Sequence, residues 1–359
     1  MINSIPLYVI YPAAIVSAAI ISLYAVQKVL FIARRSKIYD VPDKIRKIHG
    51  DEIPSLGGIG IFTGYLIIAA FFWPRNHFFM PAILCSSVIL FFTGIYDDLM
   101  NMRPSKKLIA QLIASFVTVY FADIRLDSCF GLFGIGTIPY WPGIALTTLC
   151  CTFFINVFNF IDGIDGLAGV MSILYLGILG YAFAATEHPG IAGISFALTG
   201  ATVGLLFYNI APAKIYMGDT GSMFLGFSIF SFSLLFVKWC STGEINSIVL
   251  GIRGPQQALI LVIALLFVPV YDGIRVFILR ASRGVSPLKA DRAHLHYYLL
   301  DAGFSHTQAV FVITATNICI IVLAYLLQGF NPYITLVSIT LLMSALVLII
   351  YKLRQKKLG

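Results

Sequence analysis

Apolar runs of about the length needed to cross a lipid bilayer recur along the whole chain, separated by short polar stretches. Candidate spans lie near 5–33, 57–73, 78–96, 107–123, 143–160, 166–186, 190–209, 221–239, 256–279, 307–328 and 332–351. The segment 107–123 is the least apolar, since it opens on Lys107 and contains Gln111. The pattern predicts an all-α polytopic membrane protein of about eleven helices, organised as one integral-membrane domain over 1–359. No repeat or low-complexity tract interrupts it. The first run lacks a basic start and a small-residue cleavage site, so it is expected to be retained as a span.

Composition strengthens this reading. The 359 residues are 59 % hydrophobic and 11 % charged, whereas soluble domains carry roughly a quarter charged residues. Eleven spans place the two ends on opposite sides, and the basic residues decide which is which. Twenty of the 24 Lys and Arg fall on one side, in or beside loops near 34–56, 97–106, 161–165, 210–220 and 280–306 and in the tail. Only Arg75, Arg125, Lys238 and Arg253 fall on the other. The N-terminus is therefore expected outside and the C-terminus in the cytoplasm. The net charge of +8 follows from topology, which leaves little for a nucleic-acid reading to explain, and none is expected as a partner. The acids add independent information. Twelve, among them Asp40, Asp43, Asp51, Glu52, Asp272, Asp291 and Asp301, map to the cytoplasmic side; only Asp123, Asp127, Glu187 and Glu244 map outside.

Several of these acids end a span, where a carboxylate is costly unless it is paired or binds a metal. Asp97 and Asp98 are adjacent at the end of the third span, tolerable together if a cation lies between them or water reaches both. Asn156, Asn159, Asp162 and Asp165 recur at three-residue spacing, with Gly163 and Gly166 free to turn the backbone. Met217-Gly218-Asp219-Thr220-Gly221-Ser222 opens the eighth span, a context for a metal beside an anion or for a plain N-cap by Asp219, Thr220 or Ser222. Asn209 precedes it. Asp291, Arg292, His294 and His296 share the ninth loop; histidines two apart do not share a helix face and suit phosphate better than metal. Arg46, Lys47 and His49 add cations in the first loop, and Lys107 is placed to neutralise a phosphate or an acid. For the Asp97 and Asp162 clusters and the ninth loop, a solvated helix end or loop is the plain alternative. The six cysteines match neither a zinc nor a disulfide spacing and read as apolar fillers. Taken together, acids, amides, histidines and cations on one face fit Mg²⁺ with a diphosphate substrate.

In order and over nearly the full length, these motifs resemble the polyprenyl-phosphate N-acetylhexosamine-1-phosphate transferases, glycosyltransferase family 4. His294-Leu-His296-Tyr297 and the eleven spans resemble the branch making undecaprenyl-diphospho-GlcNAc. The branch transferring phospho-MurNAc-pentapeptide usually has ten spans and three consecutive histidines. Position 101 is Asn where some members carry a further acid. The resemblance implies transfer of GlcNAc-1-phosphate from a UDP-sugar to undecaprenyl phosphate, with release of UMP, at the cytoplasmic face of a bacterial inner membrane. This is the first membrane step of a cell-envelope polysaccharide such as O-antigen. It implies Mg²⁺, with Mn²⁺ as a substitute, on Asp219 and Asn159. It makes Asp97, Asp98, Asp162, Asp165, Lys107, His294 and His296 catalytic, and Asn156, Asn159, Asn209, Arg46, His49 and Arg292 substrate-binding. A homodimer is compatible with it. A secondary transporter or flippase would instead need ionisable groups and broken helices near the bilayer midplane, and a scaffold would need no such Asp/Gly clusters.

Overall fold

The computed structural model describes residues 6–38, 53–73, 79–284 and 292–358; Arg46, His49 and Asp291 lie outside the described residues. The apolar runs fold as helices: α1 (Leu7–Arg35), α2 (Gly58–Phe72), α3 (Phe79–Met100), α4 (Pro104–Phe121), α5 (Tyr140–Ile161), α6 (Leu167–Ala185), α7 (Pro189–Asn209) and α8 (Gly218–Thr242). There follow α9 (Pro255–Leu265), α10 (Phe267–Ser282), the short α11 (Leu295–Asp301), α12 (His306–Leu326) and α13 (Pro332–Leu358). Among the described residues the only β pairing is an isolated bridge between Ser128 and Thr137.

Among the described residues eight helices are long and apolar enough to cross a bilayer, and a ninth crossing is made if α9 and α10 count as one bent span. The 15-residue α2 is apolar but short, and α4 carries Lys106, Lys107 and Gln111 in its first half. The chain is thus a polytopic helical membrane protein. The distribution of burial supports this. In α8, 94 % of the apolar stretch is buried, so this helix is the hub; α12 and α13 are only 22 % buried. Phe311, Val322, Leu326, Leu341 and Leu348 on those outer helices face away from the protein. An apolar surface of that extent marks contact with lipid.

Hydroxyls inside the bundle bond back to the helix that carries them, as Thr199 does to the Ser195 carbonyl and Ser228 to that of Phe224. Others tie neighbours together. Thr118 donates to Ser86, Ser86 to the Ala114 carbonyl, and Thr152 to Ser115, which joins α3, α4 and α5.

The expected continuous span over 256–279 is not continuous. α9 and α10 meet at a 65° bend. Pro269 lacks the N–H that would bond to the Leu265 carbonyl one turn back. The Asn317 amide supplies the missing donor, at 3.1 Å from that carbonyl and 3.3 Å from the Ala264 carbonyl, and accepts from the Tyr175 hydroxyl at 2.7 Å. Beyond the bend, α10 has its polarity turned inside out. Ile274, Phe277 and Ile278 are exposed while Asp272 and Arg280 are buried, the arrangement expected where lipid replaces water.

The expected loops are shorter than the charge pattern suggested. Asp97 and Asp98 still belong to α3, and α4 begins at Pro104, so only 101–103 is free of helix. The loop expected near 280–306 contains α11.

Candidate active site

Four helices bring their ends to one place: the C-terminal turn of α3, the first turn of α4, the last turn of α5 and the start of α8. Lys107 sits between two carboxylates, with its ammonium 3.0 Å from Asp97 Oδ2 and 2.5 Å from Asp219 Oδ2. Asn159 Nδ2 donates to the other oxygen of Asp219 and, at 2.7 Å, to Ser222 Oγ. The amide nitrogen of Asn159, rather than its oxygen, thus faces Asp219. Asp97 Oδ1 accepts from the Met102 backbone N–H at 2.6 Å, which fixes the turn into α4.

Asp98 has a different place. Its two oxygens accept the backbone N–H groups of Asp219 at 2.7 Å and Thr220 at 3.0 Å, and the Thr220 hydroxyl at 2.5 Å. None of the expected side chains caps α8 from within; Asp98 caps it from α3, satisfying donors that a helix start leaves open and complementing its dipole. The turn needs Gly218, which has φ +73°, and where a Cβ would lie 2.0 Å from the Ser55 carbonyl and 2.7 Å from Asp98 Oδ2.

The loop 162–166 links this centre to two others. Asp162 receives a hydrogen bond from the Gly218 backbone. Burial pushes its carboxyl well above the usual carboxylate range, and the Asp219, Asp98 and Asp165 charges push the same way. Gly163 packs beneath the histidine segment, and a Cβ there would lie 2.3 Å from His296 Nε2. Asp165 Oδ2 accepts from the Ala213 N–H at 3.1 Å and lies 3.4 Å from His306 Nδ1. Asn209, fully buried, accepts from the Gly166 N–H and donates to the Ile215 carbonyl. Asp165 and Asn209 therefore shape the two loops that flank the site.

On the far side, His294 Nδ1 lies 2.9 Å from Asp272 Oδ2. Asp272 also receives Arg275 at 2.6 Å and the Leu295 N–H at 3.2 Å. An ionised carboxylate can only accept, so in this pair Nδ1 carries a proton towards Asp272 and Nε2 is left to other partners. The His294 ring rests on Phe160 of α5, with centroids 5.3 Å apart, and stacks in parallel with His296.

Of the residues expected from the sequence, Asp97, Asp98, Lys107, Asn159, Asp162 and Asp219 converge directly, and Asp165, Asn209, His294 and His296 surround them. Asn156 does not join them. It lies one turn deeper and donates to Gln111 Oε1 at 2.7 Å and to the Thr152 carbonyl. Arg292 is held by Asp301 at 2.8 Å. Sequence reasoning missed Asp272, Arg275 and His306. A carboxylate inside an apolar span with an arginine three residues on was the available signal for the first two.

A dense group of carboxylates around one lysine, where four helix ends of a lipid-facing bundle meet, defines an integral-membrane protein with a charged site. Comparison with known proteins supplies the family. Residues 80–237 match the family model described as Glycosyl transferase family 4, a stretch that contains the whole Asp97–Lys107–Asp219 centre. The chain is 30 % identical over 343 residues to a probable undecaprenyl-phosphate N-acetylglucosaminyl 1-phosphate transferase of Bacillus subtilis, covering 91 % of this chain and 89 % of that one. It is 31 % identical over 320 residues to a decaprenyl-phosphate N-acetylglucosaminephosphotransferase of Mycobacterium tuberculosis, with 83 % and 77 % covered. It is 28 % identical over 298 residues to the undecaprenyl-phosphate alpha-N-acetylglucosaminyl 1-phosphate transferase of Salmonella typhi, with 79 % and 76 % covered. The chain belongs to glycosyl transferase family 4 and is an enzyme of that family.

Proposed function

We propose that this enzyme transfers GlcNAc-1-phosphate from UDP-GlcNAc to a polyprenyl phosphate, most simply undecaprenyl phosphate, in the cytoplasmic leaflet of a bacterial inner membrane. The observation that carries the reading is the meeting of Asp97, Lys107, Asn159 and Asp219 from four separate helices. A phosphate oxygen of the lipid attacks the β-phosphorus of the nucleotide sugar. A new P–O bond forms, the bond to the bridging oxygen breaks, and UMP leaves with that oxygen. A phosphate monoester has a second pKa of about 6 and is largely dianionic at pH 7. Asp97 therefore has mainly to orient the attacking phosphate and to take the residual proton. Lys107 offsets the charge that gathers on the phosphates.

The residues present fit a magnesium ion. Among the described residues no three His, Cys, Asp or Glu side chains form a ready cage. Mg²⁺, however, commonly binds through one or two carboxylates plus substrate phosphates. The charges of Asp98, Asp165 and Asp219 all bear on Asp162, whose own carboxyl is pushed towards its neutral form, and a divalent cation would offset that repulsion. Asp219 would hold the ion, which would withdraw charge from the diphosphate. Asn159 steadies Asp219 through its N–H. Asp98 holds the turn that presents it. Asp165 and Asn209 shape the wall for the nucleotide, and His294 and His296 cover the phosphates or the sugar.

The same reading has eleven spans, with α2 and α4 crossing and α9–α10 as one broken span, the N-terminus outside and the C-terminus in the cytoplasm. UDP-sugars are made in the cytoplasm, and the basic residues favour this orientation.

The test is turnover by purified protein in detergent with undecaprenyl phosphate and radiolabelled UDP-GlcNAc. A lipid-linked product, stoichiometric UMP, loss on chelation and recovery with Mg²⁺ are expected. Turnover of UDP-MurNAc-pentapeptide in preference to UDP-GlcNAc would overturn the sugar assignment; activity untouched by chelation would overturn the metal.

A further inference from the structure

The cytoplasmic end of α13 reads in sequence as ordinary inside-positive charge: Lys352, Arg354, Lys356 and Lys357. The structure separates one of them from the rest. From Tyr351 to Lys357 every residue is exposed except Arg354, which is part-buried. Its guanidinium lies 2.9–3.0 Å from Asp301 Oδ2, at the last residue of α11. It also lies over the Tyr298 ring, 4.3 Å from the centroid. Arg275 approaches the same ring at 5.0 Å while it donates to Asp272 and to the Ala293 carbonyl. The other oxygen of Asp301 holds Arg292, whose guanidinium lies over Tyr297.

α11 has only seven residues, too few to be stable by itself. His294 is its N-cap residue and His296 lies in its first turn. The direction in which the two imidazoles face is therefore set by whatever fixes this short helix. Asp272 and Arg275 hold its start. Arg354 holds its end, through a forked charge pair and a cation–π contact of the kind that fixes orientation as well as distance.

We infer that Arg354 is a positioning residue for the transfer reaction: from the last turns of the chain it clamps α11 through Asp301 and Tyr298, and so aligns His294 and His296 over the donor substrate. This rests on the functional reading that those histidines cover the diphosphate or sugar. Arg354 touches no reacting atom. Its loss is expected to change the handling of the nucleotide sugar and not that of the lipid, which enters from the membrane side.

Four purified proteins test this: the wild type, Arg354→Gln, Arg354→Lys and Lys356→Gln. In Arg354→Gln the KM for UDP-GlcNAc is expected to rise about tenfold, the scale of a small misplacement of a positioning group. The KM for undecaprenyl phosphate should stay within about twofold, which separates an effect on donor binding from a general loss. Arg354→Lys, which keeps the charge but not the fork, should recover at least half of the loss, and Lys356→Gln should match the wild type. Hydrogen exchange of residues 295–301 should quicken in Arg354→Gln while that of α12 does not. An equal effect of Lys356→Gln, parallel changes for both substrates, or unchanged exchange in 295–301 would each overturn the proposal. If Arg354→Gln does not purify as folded protein, Arg354→Lys is read in its place, and a donor KM and an exchange in 295–301 both unchanged from the wild type would overturn the proposal. If the wild type does not use UDP-GlcNAc, the functional reading fails, while the exchange measurement still decides whether Arg354 clamps α11.

Discussion

Asp97 and Asp98 are neighbours in sequence with unlike environments. Asp97 faces Lys107 and the Met102 N–H; Asp98 is consumed by the first turn of α8. Adjacent helical residues point about 100° apart, so Asp97 turns to Lys107 and Asp98 to the helix start that carries Asp219. Their variants should differ accordingly. Asp219→Ala removes the proposed metal ligand and should lower UMP release by about a hundredfold or more, since metal polarisation contributes several kcal/mol, with little change in detergent melting temperature. Asp98→Ala should lose activity and also about 1–2 kcal/mol of stability, the scale of a lost helix cap. Equal melting of the two variants would deny Asp98 its capping role.

At the scale of elements, the broken span is the feature that periodicity hid. The run 256–279 reads as one crossing although it contains Pro269, Asp272 and Arg275. The sharpness of the break depends on Asn317, far along the chain, and on Tyr175 behind it. The break turns α10 so that Asp272 and Arg275 meet His294 and the Ala293 carbonyl. Asn317→Leu leaves two carbonyls without their side-chain donor in a low-dielectric interior, at a cost of about 1–3 kcal/mol. A lowered melting temperature is expected, together with weakened donor binding, because the histidine segment leans on α10. Tyr175→Phe should have a smaller effect, as it leaves the Asn317 amide in reach of both carbonyls. Unchanged melting and donor binding in Asn317→Leu would mean that the bend is held elsewhere.

For the whole molecule, sidedness is the property with most consequences. In a variant without native cysteines, Glu244→Cys should react with a membrane-impermeant maleimide added to intact cells, whereas Lys356→Cys should react only after the membrane is opened. Reversed labelling would place the acidic centre outside, away from any supply of nucleotide sugar. The bundle also gives the centre its support. Its carboxylates come from α3 and α8, its cation from α4 and its amide from α5, and α8 is buried along nearly its whole length. Such a hub cannot shift without repacking its neighbours.

The helical membrane bundle was legible in the chain, because each crossing must be a long apolar helix whose own backbone satisfies its hydrogen bonds. The acids with candidate chemistry were legible too, since Asp97, Asp162 and Asp219 stand out where apolar spans end. Pairings across the chain were not. That Lys107 lies between Asp97 and Asp219, that Asp98 caps α8, that Asp272 holds His294 and that Arg354 holds Asp301 depend on where helices remote in sequence meet. Periodicity reports only which face of a helix is apolar. Hydrogen bonds and ion pairs, being short-ranged and directional, are settled by the packing of one helix on another. The sequence alone thus determined a membrane bundle with its reactive groups at one end. Tertiary structure decided which of those groups meet and which hold the others in place.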